Sequence, residues 1–178
     1  FSRRVFMRGL GVVAAAAALT ACSSTNEAVN QALIEGAVGG IVATDCKIGR
    51  SRYWAANATV PVNEISFRIV MTNVSSKPVT LSGDNFATTL DGTPIPPFNF
   101  SARDVGDADI WRTYDSLTIR PGEERSVALA YEISQPTYDS WYRSSRTVAV
   151  SFTCGNQRVT YTKNSRSDEI TVSDIETL

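Results

Sequence analysis

Three stretches of the chain alternate apolar and mainly polar residues with a period of two, and this alternation constrains the fold most. They are residues 64–73, 125–133 and 147–154. Because successive side chains of a strand point to opposite faces, each stretch predicts a strand with one buried face. The predicted inward positions are Ile65, Phe67, Ile69 and Met71, then Val127, Leu129, Tyr131 and Ile133, then Val148, Val150, Phe152 and Cys154.

Turn signals separate these strands from further short ones. Asp91-Gly92 is typical of a hairpin because glycine adopts positive φ at little cost. Pro121-Gly122 precedes one predicted strand, and Gly155-Asn156 follows another. We therefore predict an all-β protein, an antiparallel immunoglobulin-like β-sandwich of about seven to nine strands. The segments 93–116 and 134–146 break the alternation and are predicted to be long loops.

The amino-terminal 21 residues have the composition of a cleaved export leader. Arg3 and Arg4 precede an apolar run, residues 9–21, that ends in small residues. The run is shorter than the ~20 apolar residues that span a bilayer. The arginine pair resembles the twin-arginine export signal, which is read as an address.

Leu19-Thr20-Ala21-Cys22 resembles the bacterial lipobox. The resemblance implies that Cys22 carries lipid, with palmitate among its acyl chains. This lipid anchors the protein to a membrane of the cell envelope. The location is the outer membrane or a periplasm-facing membrane in a Gram-negative cell, and the cell surface otherwise. Residues 22–40 then form a tether or short helix, and 41–178 the sandwich domain. The alternative is an ordinary signal peptide.

Charge and cysteine use agree with export. Without Arg3, Arg4 and Arg8, 14 of the 17 basic residues remain against 18 acidic ones, so the formal charge is near −4. No basic run is present, and we predict no nucleic-acid partner. Cys46 and Cys154 form an even pair suited to an oxidising compartment, and they are predicted to form one disulfide. Their alternative is two free buried thiols.

The absence of histidine from the sequence excludes a Ser-His-Asp or Cys-His catalytic centre. We predict a protein that is not an enzyme and has no cofactor and no metal, with a carboxylate-based hydrolase as a weak alternative. Asp104, Asp107 and Asp109 lie in the 93–116 segment, where either a calcium loop or a solvated turn fits them.

Aromatic residues and arginines gather in the 134–146 segment, and a further tryptophan lies in the 93–116 segment. These residue types are common anchors of protein interfaces. Alternatively, Trp111 and Trp141 plug the open end of the sandwich. Tyr53 and Trp54, near the first cysteine of the pair, are expected to pack against the disulfide. The candidate partner-binding residues are Trp111, Tyr138, Trp141, Tyr142, Arg143 and Arg146.

Residues 60–135 resemble the immunoglobulin-like, telokin-like extracellular domains of bacterial lipoproteins, most of which have no known function. The matching segments are 67–73, a strand ending in Asn73, then 77–81, 86–92, 117–123 and 131–133. The resemblance implies no catalytic residues. We expect a non-enzymatic binding or adhesion module whose loops contact an envelope protein or glycan. The alternative is an accessory structural subunit of an envelope or surface assembly.

Overall fold

A computed structural model of the chain describes residues 37–54, 59–97, 99–106 and 111–178. The predictions made for Arg3, Arg4 and Cys22 lie outside these ranges. In the ranges described, no helix combines the length and the apolar character needed to cross a membrane.

Thirteen strands, one short α-helix and a 3₁₀ turn make up the described part of the chain. The strands are β1 (Ile41–Tyr53), β2 (Val62–Asn73), β3 (Val79–Ser82), β4 (Phe86–Leu90), β5 (Thr93–Ile95), β6 (Asn99–Asp104), β7 (Arg112–Thr113), β8 (Ser116–Ile119), β9 (Glu124–Glu132), β10 (Thr147–Cys154), β11 (Gln157–Asn164), β12 (Ile170–Val172) and β13 (Glu176–Thr177). The 3₁₀ turn is Gly83–Asn85, and the helix is α1 (Gln135–Ser140).

Two antiparallel sheets face each other across one core, which confirms the predicted all-β sandwich. The first sheet has the order β1-β2-β9-β6-β7, and the second has the order β12-β11-β10-β4-β5, with β13 also paired to β11. Strands β3 and β8 form a separate pair. The Phe67 ring of the first sheet lies 5.4 Å from that of Tyr161 and 6.0 Å from that of Phe86, both in the second. These rings form the centre of the core.

The inward positions expected from the alternation are all buried. This holds in β2, in β9 with the residue after it, and in β10. The period-two pattern therefore predicted the buried face of three strands that belong to both sheets.

The 93–116 segment is not one long loop, as the sequence suggested. It contains β5, β6 and β7, and β6 pairs with β9 along six residues of the first sheet. Phe100 and Ala102 of β6 are buried. The strand count rises above the predicted range because of these strands and the short ones near the chain's carboxyl end.

A β-bulge in β1 changes which residues face the core. Asp45 has a φ of 49°, and the register with β2 shifts between Thr44 and Lys47. Ala43 is buried before the bulge and Cys46 after it, whereas Val42 is only half-buried. Because a bulge inserts one extra residue, it reverses the parity of the strand. The strict alternation of a regular strand would place Cys46 on the face of Val42, and the bulge makes that expectation wrong.

The predicted disulfide is also wrong, because Cys46 and Cys154 are both free, buried thiols. Cys46 interacts electrostatically with Lys163, and Lys163 is paired across the sheet with Val148. Cys154 lies six residues further along β10, so the two positions are separated by roughly 20 Å of strand. A disulfide needs Cα atoms within about 7 Å. Cys154 instead contacts the carbonyl of Gly39, 3.8 Å from its Sγ.

Candidate binding surface around helix α1

Helix α1 occupies six of the thirteen residues of the predicted 134–146 loop and covers one end of the sandwich. Ser134 caps it, since its hydroxyl accepts a hydrogen bond from the Thr137 amide at 3.3 Å. Pro136 lies in the first turn, where its missing N–H costs nothing. At the other end Trp141 is only 2% exposed and joins the core. This burial fixes the helix against the two sheets.

Residues 134–146, which contain α1, are called the α1 segment below. Two arginines of β1 stack on the tyrosines of this segment. The Arg50 guanidinium lies 4.2 Å from the ring centroid of Tyr138 and 4.7 Å from that of Tyr142. Arg52 lies 4.1 Å from the Tyr138 ring. Arg50 also donates a hydrogen bond to the Tyr138 carbonyl. Such cation–π contacts hold the planar groups in one arrangement.

A chain of hydrogen bonds ties the same helix to β1 and β2. Asn63 accepts a hydrogen bond from Arg52 Nε at 2.7 Å and donates one to the Gln135 side chain at 2.9 Å. The Asp139 carboxylate accepts a hydrogen bond from Gln135 at 2.7 Å and pairs with Arg52 at 3.4 Å. Asn63 is buried, so α1 is held by polar contacts as well as by Trp141.

Exposed apolar residues also lie at the end of β1, just before β2 and just after α1. We call the set Trp54, Val60 and Tyr142 the α1 surface; these side chains are 65%, 68% and 62% exposed. Tyr53, on the other face of β1 from Arg52, is 41% exposed. Together with Tyr53 they are four of the seven large hydrophobic residues that are exposed in the described ranges. Tyr53 and Trp54 were expected to pack against the disulfide, and that expectation is wrong.

Two carboxylates lie near Tyr53. Partial desolvation raises the pKa of Tyr53, and the nearby carboxylates of Glu64 and Glu132 raise it further. Glu64 is buried and accepts a hydrogen bond from the Ser51 hydroxyl at 2.5 Å. Because Ser51 and Tyr53 alternate with Arg50 and Arg52 along β1, these carboxylates lie on the face of the strand opposite the stacked arginines.

The structure brings only part of the predicted binding set together. Tyr138, Tyr142 and Arg143 belong to the α1 segment, and Arg143 and Tyr142 are exposed. Trp141 does not belong to the surface, because it is buried as a plug. Arg146 makes contacts within the domain: its guanidinium pairs with the Asp91 carboxylate at 2.9 Å and donates a hydrogen bond to the Ser140 hydroxyl at 3.1 Å.

Trp111 lies elsewhere, over the outer face of the first sheet. Its ring is 5.7 Å from the Arg68 guanidinium and 5.0 Å from that of Arg103. Arg68 is exposed and lies between the inward residues Phe67 and Ile69, so it points away from the core. Trp111 therefore does not lie with the candidate binding residues of the 134–146 segment.

Sequence reasoning missed Arg50 and Arg52 and misjudged Tyr53 and Trp54. All four lie in residues 49–54, GRSRYW, a stretch that is rich in the residue types found at interfaces. This density was the available signal. What the sequence did not reveal is that residues about 90 positions apart meet.

Among the described residues, the carboxylates of the 93–116 segment do not form a metal site. Asp104 pairs with Arg125, and Asp107 and Asp109 lie outside the described residues. Among the residues that the structure describes, no group of three or more Cys, Asp or Glu side chains is arranged to hold a metal ion.

Comparison with known proteins yields structural likeness alone. No family model matches the chain, and no curated protein matches it. An uncharacterized β-sandwich protein from Clostridium difficile 630 is 14% identical, with a TM-score of 0.46, over 80% of this chain and 97% of that one. The yjhA protein from Bacillus subtilis is 17% identical, with a TM-score of 0.39, over 64% and 74%. At this level no residue role is transferred from them.

Proposed function

We propose that this protein is an exported, lipid-anchored binding module that contacts an envelope protein or glycan through the α1 surface and performs no catalysis. The leader-like and lipobox-like segments support the anchor at Cys22. The observation that carries the binding role is the presence of exposed aromatic residues beside stacked arginines. Tyr, Trp and Arg are the residue types that dominate binding energy at interfaces.

The geometry holds Arg50 and Arg52 and the two tyrosines they stack on in one arrangement, as recognition requires. Arg50 and Arg52 are held against Tyr138, and α1 is fixed by the buried Trp141. A surface that is ordered before binding loses less conformational entropy when a partner docks. Trp54 and Tyr142 are the exposed anchors of this surface, and their loss is expected to remove most of the affinity.

The double variant Trp54→Ala/Tyr142→Ala tests the proposal. Both side chains are more than 60% exposed, so we expect thermal stability close to that of the unmodified protein. The matched control is Val74→Ala/Val105→Ala, which removes apolar side chains that are 46% and 47% exposed outside the α1 surface. The acylated protein is purified from its own membrane after crosslinking, and the captured protein and glycan are quantified.

We expect the double variant to lose capture by roughly 30-fold or more for each anchor, since an interface hot spot contributes about 2 kcal/mol. The control is expected to retain capture. Equal capture by both variants would contradict the proposal. A third variant, Thr171→Lys, adds a charge to β12 at the border of the second sheet. Loss of capture in this variant alone would favour the accessory structural subunit.

A further inference from the structure

A groove of about 500 Å³ lies along β1, beside the end of the sandwich that α1 covers. Its walls come from β1, from β2, and from the end of β11 through the joining segment to the start of β12. Charged side chains from all three regions line it. They are Lys47, Arg50, Arg68, Lys163 and Asp168.

The groove carries more positive than negative charge, although the whole chain has a formal charge of −1. Four of the lining residues are basic and one is acidic. The ion pairs within the described ranges involve Arg52, Arg125, Arg146 and Arg158, none of which lines the groove. None of these ion pairs includes Lys47 or Lys163. A cleft lined by one sign of charge raises the local concentration of counter-ions.

The inner wall of the groove strengthens this field. Ile48 and Ile170 are buried and lower the local dielectric constant. Burial raises the pKa of the Cys46 thiol well above its ordinary value, so the thiol stays neutral and does not cancel the lysines. Gly49 contributes open space, because a Cβ built on it would meet no atom within 4 Å.

We propose that this groove is a second binding site, separate from the α1 surface, and that it holds a phosphate group. A phosphate ester carries up to two negative charges and several acceptor oxygens, which suit an excess of ammonium and guanidinium donors. The volume falls within the range of small-ligand sites and is suited to one headgroup-sized molecule. The phosphate is supplied either by an anionic phospholipid headgroup or by a soluble phosphate ester.

The chain contains three lysines, which gives the test a matched control. Lys47 and Lys163 line the groove, while Lys77 lies in the turn before β3. We compare Lys47→Gln/Lys163→Gln with Lys77→Gln in the full chain, solubilised in detergent. Titration calorimetry uses sn-glycerol 3-phosphate, monomeric dihexanoylphosphatidylglycerol and, as the uncharged probe, glycerol. Arg50 is left unchanged because it also contacts the α1 tyrosines.

We expect both phosphate probes, or the lipid alone, to bind the unmodified protein, with affinity falling as salt rises. Each groove lysine should account for at least about a tenfold change in affinity, the effect of a lost charge-assisted hydrogen bond. Lys77→Gln should bind like the unmodified protein. Tighter binding of the lipid identifies a headgroup site, and equal affinities identify a site for soluble phosphate esters.

Three results would overturn the proposal. The first is no binding of either phosphate probe at millimolar concentration. The second is retention of affinity by the double variant, and the third is an equal loss in Lys77→Gln. Thermal melting of each variant verifies that the fold is intact. The outcome is independent of the α1 surface, because neither lysine belongs to it.

Discussion

Asn73 joins three segments at one end of the sandwich, and its replacement should be among the most destabilising single changes. The residue is fully buried at the end of β2. Its Nδ2 donates to the carbonyls of Lys77 and Ile119, both at 2.8 Å. Its Oδ1 accepts from the Ser75 amide at 2.9 Å and from the Ser75 hydroxyl at 2.7 Å. The side chain therefore satisfies all four of its hydrogen-bonding positions.

The cost of Asn73→Ala follows from these four bonds. A typical hydrogen bond contributes about 1 kcal/mol net, and a buried group left unpaired costs about 1–3 kcal/mol. Only the bond to Ile119 is fully buried, while the bonds to Ser75 and Lys77 lie nearer the surface, where water can replace them in part. We therefore expect a loss of about 3 kcal/mol in the free energy of unfolding. For a domain of this size, that loss lowers the melting temperature by roughly 10 °C.

Asn73→Asp separates hydrogen bonding from packing, because the two side chains have nearly the same shape. The carboxylate keeps both acceptor positions, loses both donors and faces two carbonyl oxygens. We expect a loss at least as large as that of Asn73→Ala at neutral pH. The deficit should shrink in acid, where a protonated carboxyl regains one donor.

Urea titration monitored by circular dichroism measures both variants, and Asn99→Ala is the control. Asn99 makes a 3.3 Å exposed contact with the Thr113 hydroxyl, so its loss should change stability by less than about 0.5 kcal/mol. If both Asn73 variants were as stable as the control, the hydrogen bonds of Asn73 would not hold these segments together.

Two further predictions concern buried polar atoms. Tyr161 is fully buried, and its hydroxyl has no hydrogen-bond partner among the described residues. Tyr161→Phe should therefore raise the free energy of unfolding, measured by urea titration, by about 1 kcal/mol. A loss of stability would contradict this and show that the hydroxyl has a partner. Cys46 and Cys154 should both react with iodoacetamide in the unfolded, unreduced protein, but only slowly in the native protein, because both are buried and burial raises both thiol pKa values. Peptide mass mapping measures the labelling, and an unlabelled pair after unfolding would contradict the free thiols.

The core of the fold was predictable because alternation is a local property of the sequence. In β2, β9 and β10 each inward residue sits two positions from the next, so reading the pattern needs no knowledge of the partner strand. Strand β6 was not predicted because prolines precede it and aspartates follow it, and because only Phe100 and Ala102 show the period-two alternation. The bulge in β1 was not predicted because the positive φ of 49° falls on Asp45, and aspartate tolerates this conformation without requiring it.

The candidate surface was only half predictable for a different reason. Tyr138, Tyr142 and Arg143 lie close together in sequence, and aromatic density alone drew attention to them. Whether a tryptophan in that segment is a plug or an anchor depends on α1, which is too short to show helical periodicity. The contribution of Arg50 depends on a contact between distant segments, which sequence spacing does not encode.

The borders of the two sheets have a consequence for behaviour at high concentration. In the second sheet β5 carries Pro94, which lacks a backbone N–H, and β12 has only three residues. In the first sheet β7 has two residues, and β1 is interrupted by the bulge at Asp45. These features reduce the number of regularly spaced amide groups that each border offers a neighbouring molecule. Crowded copies of this protein should therefore resist fibril growth and remain separate molecules.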